Sequence, residues 1–137
     1  MGLFGSKKPS KPQKQYKITR VCLSLIFESA KSVYPREFAG LLRVDDVQKD
    51  TIVELVLLPG TISGDTHAIF QMHMRPFDMS LVGTVHSHPS PSARASEADL
   101  SLFRKYGSIH IIAAYPYEES TWQGYDGQGN QIDITVV

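Results

Sequence analysis

Apolar residues at Ile18, Val21, Cys22, Leu25, Ile26, Ala30 and Val33 follow the i, i+3, i+4, i+7 spacing of an amphipathic helix, and Pro35 ends it. The pattern then changes to short β-branched and aromatic runs. Strands are predicted over 38–44, 51–58, 67–72 and 81–87, punctuated at Asp45-Asp46, Pro59-Gly60 and Gly64-Asp65, with a short helical turn over 75–80. Ser96 is an N-cap, Glu97 and Asp99 place acids in a first turn, and Leu100, Leu102 and Phe103 continue a second helix. Closing strands are expected over 108–115, 121–125 and 132–137, with a hairpin turn at Asp126-Gly127-Gln128-Gly129-Asn130. Helix, strands, helix, strands describes an α/β (α+β) sheet flanked by helices in one domain.

The first sixteen residues stand outside this pattern. Gly2, Gly5, Pro9, Pro12 and a series of lysines show no apolar period, so residues 1–16 are expected to be a flexible basic arm and 17–137 the folded domain. Charge follows the same division. Fourteen basic and fourteen acidic residues cancel, yet Lys7, Lys8, Lys11, Lys14, Lys17 and Arg20 precede the first acid, leaving an acidic body behind a basic start. No dedicated nucleic-acid binder is implied. A chain of 137 residues is too short for a (β/α)₈ barrel, and no apolar run approaches the ~18 residues of a transmembrane span. The lone Cys22 can form neither an internal disulfide nor a cysteine zinc site, so a cytoplasmic setting is expected.

Candidate chemistry concentrates in Gly83-Thr84-Val85-His86-Ser87-His88-Pro89 and the segment after it. Residues two apart on a strand share a face, so His86 and His88 can aim both imidazoles at one point. Pro89 stops the strand, a small-residue loop runs to Ala95, and Asp99 in the next helix can supply an anionic third ligand. Two imidazoles and a carboxylate suit Zn²⁺, with the fourth tetrahedral position left for water, as in catalytic sites. Taken singly, each could instead be a solvated strand histidine or a helix-dipole acid. Other His-x-His metal sites fit less well. Metallo-β-lactamases want a His-Asp or Asp-His pair where Pro89-Ser90 stands, amidohydrolases need a barrel, and zinc deaminases need a second cysteine.

His86-Ser87-His88-Pro89, six residues, Ser96, two residues, Asp99 resembles the signature of the JAMM (MPN-plus) metalloproteases. Glu37-Phe38-Ala39-Gly40-Leu41-Leu42 matches that family's glutamate-bearing strand, and the likeness extends from about Ile18 to Val137. The chain looks like a small prokaryotic member, related to the proteasome-lid deubiquitinase and lacking the long insertion of larger eukaryotic enzymes. The resemblance implies a curved, mostly antiparallel sheet flanked by helices. It further implies one Zn²⁺ held by His86, His88 and Asp99, with Glu37 as general acid/base and Ser96 donating to the oxyanion. The implied substrate is a ubiquitin-like or sulfur-carrier protein, cleaved after its C-terminal Gly-Gly, and a homodimer is expected. A metal-free MPN scaffold and a zinc peptidase for small amide or cysteine adducts are the alternatives.

The remaining chemistry-bearing residues are expected to be structural. His67, His73 and His110 read as core or surface histidines. Trp122, Tyr115, Tyr117 and Tyr125 read as one aromatic cluster on the last strands, and Met72, Met74 and Met79 as core fillers or a hydrophobic substrate surface.

Overall fold

The computed structural model describes residues 15–57 and 78–137. Strand β1 (Lys17–Ile18) is followed by α1 (Arg20–Val33), β2 (Ala39–Val44), β3 (Thr51–Leu57), β4 (Leu81–His88), α2 (Glu97–Lys105), β5 (Ile109–Ala114), β6 (Trp122–Asp126), β7 (Gln131–Ile132) and β8 (Thr135–Val136). The strands form one sheet in the order β7-β6-β5-β4-β2-β3-β1-β8, with four antiparallel and three parallel pairings among the described residues. The strand expected over 67–72, most of the turn over 75–80, and His67, His73, Met72 and Met74 lie outside the described residues.

Two expectations at the start of the domain need correction. Thr19, in extended backbone, caps α1 by accepting from the Cys22 N–H at 3.2 Å, which leaves Ile18 in β1 rather than in the helix. With the helix starting later, its buried face is Cys22, Leu23, Ile26, Phe27 and Ala30, while Val21 and Leu25 are exposed. Tyr16, assigned to the arm by composition, is buried and its hydroxyl lies 2.9 Å from Ser108 Oγ, so Tyr16 belongs to the folded body, while residues 1–14 lie outside the described residues.

Alternation along β4 separates two cores. Val85 faces the cluster built on α1 with Leu42, Ile109 and Ile111, whereas the opposite face meets Ala39, Leu41, Leu102, Phe103, Ile112 and Tyr125 around α2. Gly83 permits the close β4–β5 approach, since a Cβ there would sit 1.4 Å from the Ile109 carbonyl oxygen. Cys22 is free and buried; burial, then the charge of Glu54, pushes its thiol up to about 11. No helix among the described residues is long and apolar enough to cross a membrane.

His110 is fully buried beneath α2. Its Nδ1 accepts from the Thr84 hydroxyl (2.7 Å) and N–H (3.3 Å), its Nε2 faces the Gly107 carbonyl, and Phe103 stacks on the ring at 4.3 Å. Burial drives its pKa down to about 4, against the backbone hydrogen bonds that favour the charged form. Below about pH 6.5 the unfolded chain therefore takes up a proton that the folded one refuses, and stability present at neutral pH is lost as pH falls toward 4. Denaturant titrations of wild type and His110→Gln should show their stability gap narrowing by about 2 kcal/mol between neutral pH and about pH 4.5. A gap independent of pH would contradict this assignment.

Candidate metal centre

The C-terminal end of β4 and the first turn of α2 meet at three side chains. His86 Nε2 lies 3.3 Å from His88 Nε2 and 3.0 Å from Asp99 Oδ1, and His88 Nε2 lies 3.2 Å from Asp99 Oδ2. The side chains are only 5%, 17% and 15% exposed, respectively. A tetrahedral Zn²⁺ with ligands at about 2.0–2.2 Å holds its donors about 3.3 Å apart, close to the edges of this triangle. These three residues, as one compact group, could hold a metal ion.

Each donor is aimed by a neighbour. His88 Nδ1 donates to the Ser92 carbonyl at 3.0 Å, so Nε2 turns toward the other two donors, carrying a proton to Asp99 in the metal-free imidazolium and offering a lone pair once that proton is lost. Ser96 and Asp99 form a reciprocal capping box: Ser96 Oγ accepts from the Asp99 N–H (3.1 Å) and Asp99 Oδ2 accepts from the Ser96 N–H (2.9 Å). The helix start thus fixes the ligand carboxylate and the Ser96 hydroxyl relative to one another. Burial opposes ionisation of Asp99, but hydrogen bonds from His86, His88 and Ser96 outweigh it and hold the carboxyl well below the usual range. His86 Nδ1 has no hydrogen-bond partner among the described residues, so packing orients this ring, with Phe103 at 6.3 Å between centroids.

Glu37 lies two residues before β2 and is exposed. Its backbone is held on β4 by the next residue: the Phe38 N–H donates to Ser87 Oγ at 2.9 Å and the Ser87 N–H to the Phe38 carbonyl at 3.1 Å. Ala39 pairs with His86, and two residues before it the Glu37 charge helps to raise the His88 pKa, after the larger effect of the Asp99 hydrogen bond. The structure therefore gathers His86, His88 and Asp99 directly, sets Ser96 on the same helix cap, and leaves Glu37 at the rim without a hydrogen bond to them.

Sequence reasoning missed the two serines that support these groups. Ser87 lies between the histidines yet faces the other side of the sheet; a buried serine in a ligand strand is the signal that could have revealed it. Ser92 acts through its backbone carbonyl, which carries no sequence signal. The aromatic residues are not one cluster. Tyr34 stacks on Tyr115 at 4.7 Å with Tyr117 edge-on, whereas Tyr125 packs on Phe103 at 5.3 Å and Trp122 joins the α1-side core, because alternation sends neighbouring ring positions to different faces. Met79 is exposed.

The profile of the prokaryotic homologs of the JAB domain matches residues 19–125. A probable metalloprotease of Haloferax volcanii is 33% identical over 122 residues, covering 84% of this chain and 75% of that protein. A JAB1/MPN domain protein from Archaeoglobus fulgidus is 43% identical, with a TM-score of 0.71 over 88% of this chain and 98% of its own. A second structure, described as JAMM, a metalloprotease-like zinc site in the proteasome and signalosome, is 42% identical with a TM-score of 0.70, covering 90% and 98%. Fold, donor set and relatives agree: the chain carries a compact His86, His88 and Asp99 group that could hold a metal ion, and it belongs to the prokaryotic JAB (JAMM/MPN) family.

Proposed function

We propose that this protein is a zinc isopeptidase that hydrolyses the bond after the C-terminal Gly-Gly of a ubiquitin-like or sulfur-carrier protein. His86, His88 and Asp99 are the ligands, Glu37 the general acid/base and Ser96 the oxyanion donor. The observation that carries this reading is the convergence of three donors, with Glu37 next to Phe38, whose N–H is bonded to Ser87 between the two histidines. Bound zinc would supply a water of pKa near 7 and polarise the scissile carbonyl.

Glu37 takes a proton from the attacking water and returns it to the leaving nitrogen. A lysine amine has a conjugate acid of pKa about 10, so its departure as a free amide anion is prohibitive and protonation must accompany cleavage. The Ser96 hydroxyl accepts from the helix with a lone pair and keeps its proton for the developing oxyanion. The rim is open. An exposed Glu37 beside partly exposed ligands suits an extended tail lying across the sheet end, and glycines let that tail's backbone approach closely. Family membership supports a protein substrate, and the lone buried Cys22 fits a cytoplasmic setting.

Purified protein should contain zinc stoichiometrically and cleave a ubiquitin-like Gly-Gly fusion, with activity removed by chelator and restored by Zn²⁺. A protein that takes up no zinc would overturn the enzyme reading in favour of a binding scaffold. Varying only the residue after Gly-Gly, from a lysine side-chain amide to a linear peptide to a cysteine adduct, tests the isopeptide preference against small-adduct hydrolysis.

A further inference from the structure

His88 and Asp99 lie on different elements, joined by residues 89–95, so their relative placement depends on that loop. Few of its side chains can hold it: Pro91, Ser92 and Arg94 are exposed and the rest are small or cyclic. Its fixed points are backbone groups. The Tyr115 N–H, just past β5, reaches the Ser90 carbonyl at 3.0 Å. The Tyr125 hydroxyl, rising from β6, donates to the Ala93 carbonyl at 2.7 Å and accepts from the Ala95 N–H at 3.0 Å. Tyr125 itself is buried, its ring set against Phe103, which also packs near His86. One hydroxyl from the core therefore engages the loop at two points.

Those points flank the groups that aim the ligands. Ser92, whose carbonyl holds His88 Nδ1, immediately precedes Ala93, and Ala95 immediately precedes Ser96, whose N–H holds the Asp99 carboxylate. We propose that Tyr125 is a positioning residue for the metal centre, fixing through the 89–95 loop both the aim of His88 and the place of the Ser96–Asp99 capping box. Its effect is on zinc affinity. The proposal rests on the metal site and is independent of which substrate is cleaved.

The test compares Tyr125→Phe with Tyr16→Phe in the full chain. The control loses a hydroxyl bonded to Ser108, outside the ligand loop. Zinc affinity is measured by competition with a chromophoric chelator, ligand geometry by the visible bands of the Co²⁺-substituted protein, and stability by the Tm of the metal-free protein. Losing direct partners of metal ligands costs 10–100-fold, so the Tyr125 variant should bind zinc about tenfold more weakly, with altered cobalt bands and faster amide exchange at Ala95. Tyr16→Phe should change none of these, even where both variants lower Tm alike. Unchanged zinc affinity and cobalt bands in Tyr125→Phe, or the same weakening in Tyr16→Phe, would overturn the proposal. Retained zinc binding by wild type with no cleavage of any Gly-Gly substrate would instead count only against the isopeptidase reading.

Discussion

Glu37→Gln is expected to lower cleavage of a Gly-Gly substrate by about 10³-fold, within the range for loss of a general acid/base, while leaving zinc content unchanged. Glutamine preserves size and hydrogen-bonding capacity but cannot take a proton from water or return one to a leaving amine. Glu37 has no hydrogen bond to the metal-holding triad among the described residues, and its position comes from Phe38 and Ser87 rather than its own side chain. Stability should accordingly change by no more than about 0.5 kcal/mol, as for other exposed positions. Single-turnover cleavage together with metal analysis checks both halves. Activity within tenfold of wild type would remove Glu37 from the mechanism.

Asp99 should separate metal binding from helix capping. In Asp99→Ala the anionic donor and one half of the capping box disappear together, so zinc affinity should fall by more than about 100-fold, beyond the usual cost of an outer partner. The helix start should lose about 1 kcal/mol at the same time. Asp99→Asn retains an amide oxygen that can accept from the Ser96 N–H, so it should lose zinc comparably yet keep more of the metal-free stability than Asp99→Ala. Chelator competition and denaturant titration of the two variants make the comparison. Tight zinc binding by either would mean that the carboxylate is not a ligand.

The centre was legible in sequence where its logic is local. Period-two alternation places His86 and His88 on one face, and the Ser-x-x-Asp spacing of a capping box places Ser96 with Asp99; neither requires knowledge of the rest of the fold. What could not be read depends on distant pairing. Ser87 supports Phe38 from 49 residues away, and Tyr125 reaches Ala93 across 32. The α1 stripe misled in two ways: Thr19 caps the helix after Ile18, and packing buries Leu23 and Phe27 beside Cys22, Ile26 and Ala30 while leaving Val21 and Leu25 exposed. Tyr16 looked like part of a polar arm because composition averages over neighbours, whereas its ring is buried in the core just before β1 begins.

Strand β1, lying between β3 and β8, also bears on how the chain assembles. Lys17 pairs with Thr135 and Ile18 with Val136, and the backbones of Ile18 and Arg20 both bond Val137, so this edge joins the two ends of the described body. Loop-closure entropy is large for such a pairing, and during synthesis β8 emerges more than a hundred residues after β1. The three metal-holding residues, by contrast, all fall within 86–99 and require only a short closure. The chemistry-bearing segment can therefore organise while β1 still waits for β8.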